Sequence, residues 1–124
     1  MNGISAVQAS LLGDPTIRVM GAAIDGLDAR QQAITTNLAN VETPGYLARE
    51  VSFEDSLRAA VADGDPSGMV IGVARSLAPT RANGNNVNID SEMMLSSENV
   101  LAQRLMVQAL NGKYSTLRTA ITGV

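Results

Sequence analysis

The carboxylates are the residues of this chain best placed to do chemistry. Glu54 and Asp55 are adjacent in FEDSL, and Asp90 closes the asparagine-rich run ANGNNVNID with Glu92 just beyond it. Paired carboxylates serve as general acid and base, or as ligands for a hard cation. A calcium loop, however, needs several acidic positions at alternate spacing and a glycine at its sixth residue. The asparagine run meets neither requirement and reads as a turn followed by a helix cap. GDPSG, 64–68, lacks the lysine and spacing of a phosphate loop. Glu54 and Asp55 are explained by helix ends and solubility.

The chain has neither histidine nor cysteine. That removes the commonest base–nucleophile pairings and the usual zinc sites. No catalytic, cofactor-binding or metal residues are expected, and the chain is not expected to be an enzyme. A net charge of −3 disfavours nucleic acid as a partner. No run of 18 apolar residues exists, so no direct membrane insertion is expected. MNGISAVQASLLGDP has no basic segment before its apolar residues, so no cleaved signal peptide is expected.

The elements that hold these residues follow from apolar periodicity. Apolar residues make up 45 %, yet the chain has one Phe, two Tyr and no Trp. Its core must be aliphatic, and a lone copy is expected to be marginally stable. Asp14 as N-cap and Pro15 at the first helical position start a helix predicted over 15–40, roughly 37 Å long. Ile17, Ile24, Gln31 and Leu38 form one seven-spaced row, and Met20, Leu27, Ile34 and Val41 form its companion. All but Gln31 are apolar, as in a coiled-coil seam. Asn40 can end the helix, and Thr43 must leave it because a proline follows. Pro44-Gly45 suits a type II turn.

Beyond the turn, YLAREVSF is expected to be extended, and Ser52 with Asp55 resembles a capping box for a helix over 53–62. MVIGVA, 69–74, is a short strand by composition, and 78–88 is turn-rich and irregular. Asp90 or Ser91 is expected to cap a second long helix, with Glu92 in its first turn. Its apolar row is Met93, Val100, Val107, Tyr114 and Ile121, beside Ser96, Gln103, Leu110, Leu117 and Val124. Gly123 is the expected stop. The fold expected is mainly α: long N- and C-terminal helices pairing as a coiled-coil-like layer around a small irregular/β middle module. The divisions are 1–42, 43–88 and 89–124, within one assembly unit. A helix pair covers only part of each apolar stripe, which favours an oligomer.

The stretch QQAITTNLANVETPGY resembles the N-terminal signature of bacterial flagellar rod and hook proteins. Asn37-Leu38-Ala39-Asn40 ends the helix, and Thr43-Pro44-Gly45-Tyr46 supplies the turn and its aromatic. AREVSFEDSL, GNNVNIDSEMMLSSEN and LNGKYSTLRTAI are similar to proximal-rod members of that family. The resemblance implies a structural subunit of the basal-body rod, polymerising into a helical tube that transmits torque across the periplasm. It implies export by the flagellar type III apparatus. It implies other copies, other rod proteins and the adaptor at the MS-ring/rod junction as partners. Two sets of residues would carry assembly: Ile17, Met20, Ile24, Leu27, Ile34, Leu38 and Val41 on the first helix, and Met93, Val100, Val107, Leu110, Tyr114, Leu117 and Ile121 on the second. The competing reading is a soluble helical-hairpin adaptor or export chaperone acting as a dimer.

Overall fold

The computed structural model describes residues 14–123. Residues 1–13, and Val124 of the companion row, lie outside the described residues. Helix α1 spans Pro15–Ala39. Asp14 caps it, its Oδ1 accepting from the amides of Thr16 at 2.8 Å and Ile17 at 3.3 Å. Pro15 loses nothing at the first position, where an amide has no helical acceptor. Strand β1, Arg49–Ser52, leads directly into α2, Glu54–Ala62. A 3-10 turn at Pro66–Gly68 precedes strand β2, Gly72–Arg75. Helix α3 then runs from Ile89 to Thr122 and stops at Gly123, whose φ of 71° suits a residue without a Cβ.

The strands pair antiparallel, with Arg49 opposite Arg75 and Ser52 opposite Gly72. The Ser76 amide extends the ladder to the Ala48 carbonyl at 2.7 Å. The extended stretch expected after Tyr46 narrows to β1, and the strand expected at 69–74 begins three residues later at Gly72. The fold is therefore mainly helical with a two-stranded sheet. α1 is the central element, with α2, β1 and α3 all packed against it.

Two expected caps are corrected. Ser52 belongs to β1, and α2 starts from Phe53, whose amide is met by the Glu54 Oε2 at 3.3 Å. The strand reaches to within one residue of α2, which leaves no room for the expected box. The cap of α3 is Asn88, whose side chain accepts from the Ser91 amide at 3.0 Å. Asp90 and Ser91 are already inside the first turn.

The core lies under the middle of α1. Phe53 is 4 % exposed and its ring rests against Gly26, where an added Cβ would come within 2.4 Å of the ring. The Arg30 guanidinium lies over the ring at 4.8 Å from its centroid. Arg30 also pairs with Glu54 at 2.6 Å and donates to the Val51 carbonyl at 2.9 Å. This hydrogen-bonded pairing holds the Glu54 carboxyl down at about 2. The only phenylalanine of the chain thus anchors α1 to both β1 and α2.

Candidate assembly surface and its signature hub

Asn37 is completely buried near the end of α1. Its Oδ1 accepts from the Arg49 amide and the Tyr46 hydroxyl, both at 2.8 Å. Its Nδ2 donates to the Arg49 carbonyl at 2.9 Å and to the Glu92 Oε1 at 3.2 Å. The amide thus pairs with β1 as a neighbouring strand would, and it ties α1 to the first turn of α3. Burial pushes the Glu92 carboxyl up, the Glu50 charge adds to the effect, and the Asn37 donor opposes it. The second oxygen, Oε2, is buried without a partner.

The turn after α1 is held from outside itself. The Tyr46 amide donates to the Thr43 carbonyl at 3.2 Å, and Gly45 carries the positive φ of 75° that this turn type needs. Asn40 keeps its place by donating to the Thr36 carbonyl at 2.8 Å and accepting from the Thr43 hydroxyl at 3.1 Å. Asn85, also completely buried, donates to the Asn40 carbonyl at 2.8 Å and the Thr43 carbonyl at 2.9 Å. Asn86 accepts from the Ala48 amide at 2.7 Å and donates to the carbonyls of Ser76 and Ala78 at 3.1 Å. Arg81 donates to the carbonyls of Val41 and Val87 at 2.6 Å. Residues 78–88 are irregular as expected and mostly exposed, but the buried residues 85–87 make them a strut whose asparagines replace a missing strand. Periodicity carries no trace of this; the density of asparagines is the only signal.

The two long helices lie side by side and antiparallel. Polar contacts run along their interface, beside the apolar Met106, Leu110 and Leu117. Gln31 donates to the Ser96 hydroxyl at 3.0 Å, and Asn99 donates to the Leu27 carbonyl at 2.9 Å and to Gln31 at 3.0 Å. Gln103 donates to Asp28 at 2.7 Å, and Lys113 meets Asp14 at 3.5 Å.

On α1 the expected residues face inward: Ile17, Leu27 and Ile34 are buried, and Met20, Ile24 and Leu38 are half-buried. Val41, half-buried, falls beyond the helix in the turn, and Thr43, Pro44 and Gly45 are exposed on its surface. On α3 the row turned toward α1 is Glu92, Asn99, Met106 and Lys113 beside Ser96, Gln103, Leu110 and Leu117. The row Met93, Val100, Val107, Tyr114 and Ile121 lies one residue on, about 100° around the helix. It does not form the seam within the chain, because the rungs to α1 come from its polar neighbour. Met93, Val107, Tyr114 and Ile121 are exposed and Val100 is half-buried. Met94, Leu101 and Leu105 are also exposed, so α3 presents a long apolar face. Patches of this kind ordinarily mark contact surfaces.

Among the described residues no group of three acidic side chains could hold a metal, and no helix is long and apolar enough to cross a membrane. No family model matches the chain. Among curated proteins it is 33 % identical over 123 residues to the flagellar basal body rod protein FlgB of Bacillus subtilis (strain 168), covering 87 % of this chain and 94 % of that protein. It is 26 % identical over 121 residues to FlgB of Escherichia coli (strain K12), covering 81 % and 88 %. It is 30 % identical over 109 residues to FlgB of Cereibacter sphaeroides (strain ATCC 17029), covering 77 % and 85 %. Matches of this length run through the hub, the strut and both long helices, and the chain belongs to the FlgB family of flagellar basal body rod proteins.

Proposed function

We propose that this rod component is a structural subunit of the proximal rod that polymerises into a helical tube and transmits torque across the periplasm. The observation that supports it most is the apolar face of α3, with Met94, Leu101 and Leu105 each more than half exposed. A helix whose apolar residues lie outside its own subunit gains stability only when another chain covers them, at about 25 cal/mol per Å² of apolar area. Ordering and polymerisation are then coupled, which suits a chain with a single phenylalanine. Head-to-tail contacts that do not close on themselves give a helical assembly. The assembly sites proposed are the α1 and α3 rows together with the signature turn. The partners proposed are other copies, other rod proteins and the adaptor at the MS-ring junction. Delivery is by the flagellar type III apparatus, without signal cleavage.

The test is a charge on the outer face. Leu101→Asp with Leu105→Asp leaves the rungs to α1 untouched. Cells expressing that variant are expected to secrete it yet yield basal bodies lacking it, and to be non-motile. Recovery of the variant in basal bodies at the wild-type level would overturn the reading.

A further inference from the structure

The β hairpin holds two positive charges against each other. Arg49 stands directly opposite Arg75. Because the Ser76 amide bonds the Ala48 carbonyl, the pair beside it, Arg49 and Arg75, is a non-hydrogen-bonded one, in which side chains approach most closely. Like charges placed so destabilise a strand pair. Neither arginine forms an ion pair among the described residues, and their neighbours on the same face are Val51 and Val73. Arg49, Val73 and Arg75 are all exposed, and Leu77, just past the strand, is 99 % exposed. This face of the hairpin is therefore both basic and apolar, in a chain whose net charge is −3.

The outer face of α3 carries the opposite charge. Met94, Glu98, Leu101 and Leu105 follow one another at steps of four, three and four residues, which makes them one stripe of the helix. All four are exposed. No lysine or arginine stands three or four residues from Glu98, and Glu98 forms no ion pair among the described residues. A lone carboxylate in an apolar stripe opposes the burial of its neighbours unless the covering surface brings a cation. The hairpin face has that composition: apolar side chains beside guanidiniums, which match a carboxylate in shape as well as in charge.

We infer that the basic face of the hairpin is the seat for α3 of a second copy, with the neighbour's Glu98 stripe against Val73 and Leu77 and its carboxylate at Arg49 and Arg75. The inference rests on the assembly reading and names the surface that covers α3. Each copy carries both halves of the contact on different surfaces, so the contact is head-to-tail and need not close on itself. An exposed ion pair alone is worth little. Here the charges select which face of the neighbour docks, and the apolar side chains around them supply the buried area.

Charge reversal in the assembled rod tests the contact. Arg49→Glu with Arg75→Glu inverts the seat while keeping like charges opposite each other within the hairpin. Glu98→Arg inverts the stripe. The full chain is expressed in place of wild type, and its amount in purified basal bodies is measured per secreted chain by immunoblot. Each reversed variant is expected to fall about tenfold or more, because like charges then meet across the contact. The triple variant restores opposite charges and is expected to return to within about twofold of wild type. Wild-type incorporation of either reversed variant would overturn the inference. So would a triple variant no better than the arginine pair alone, an outcome that assigns the arginines to an acidic surface of another protein. Leu101→Asp with Leu105→Asp separates the two readings. If that variant is blocked while the charge variants assemble normally, only the seat is wrong; if it also assembles normally, the assembly reading falls with it.

Discussion

The side-chain amide of Asn37 donates to the Glu92 carboxylate across 3.2 Å, with both residues buried. That contact joins the last turn of α1 to the first turn of α3, and the same amide binds both backbone groups of Arg49. One side chain therefore coordinates two helices and a strand. Asn37→Leu removes its partners' hydrogen bonds and strands the Arg49 backbone, the Tyr46 hydroxyl and Glu92. Each buried unpaired group costs about 1–3 kcal/mol. The variant is expected to lose at least ~3 kcal/mol in urea unfolding followed by circular dichroism.

Glu92 makes stability depend on pH in a direction opposite to most carboxylates. Burial raises its pKa, so the folded chain holds this proton more tightly than the unfolded one. Its contribution is complete below the ordinary glutamate range and is lost as pH rises through the folded value. Glu92→Gln is expected to flatten that part of the profile and to raise stability at pH 7, because it removes a buried charge while its Oε1 can still accept from Asn37. Melting curves from pH 4 to 8 provide the check. Glu54, held down by Arg30 to about 2, works the other way. Its contribution is present above the ordinary glutamate range and disappears as pH falls toward 2.

Gly26 is required by the Phe53 ring. A Cβ there would meet ring carbons at 2.4 to 2.6 Å, inside a packed core. Gly26→Ala is expected to destabilise by about 1–3 kcal/mol, the usual cost of overpacking. Phe53→Leu is expected to relieve most of the clash in the double variant. A double-mutant cycle measured by denaturant unfolding would show strong coupling, whereas additive effects would argue against direct contact.

Neighbouring asparagines in the strut should differ sharply. Asn85 is completely buried and donates to two carbonyls of the signature turn, while the Asn83 side chain is exposed and accepts only from the Asn85 amide. Asn85→Ala is expected to cost about 2–4 kcal/mol and Asn83→Ala less than about 1 kcal/mol. Equal effects in thermal melts would contradict the arrangement described here.

The positive φ at Gly45 gives a separable test of the turn. No atom stands within 4 Å of an added Cβ, so a side chain there meets backbone strain and no clash. Gly45→Val is expected to cost the folded monomer about 1–3 kcal/mol, the strain of a β-branched residue in the left-handed region. Incorporation into basal bodies is expected to fall further than that loss explains. Motility and rod composition equal to wild type would refute it.

Local chemistry written in the chain determined where elements begin and end. Asp14-Pro15 starts α1 as expected, Asn40 and the Thr43–Gly45 turn end it, and Gly123 ends α3. These signals act within four residues, so no distant partner is needed to read them. Where two local signals compete, the structure decides between them: Ser52 belongs to the strand, and Asn88 takes the cap in place of Asp90 or Ser91. What the tertiary structure alone decided is which face of α3 points inward. Apolar periodicity marks the face that seeks burial but does not say against which chain, and here the row beside it, polar over its first half, meets α1. Nor could spacing foresee that Asn37, Asn85, Asn86 and Glu92 would be buried together. Their partners lie up to 55 residues away, and a buried polar side chain is tolerated only where such remote groups come to meet it.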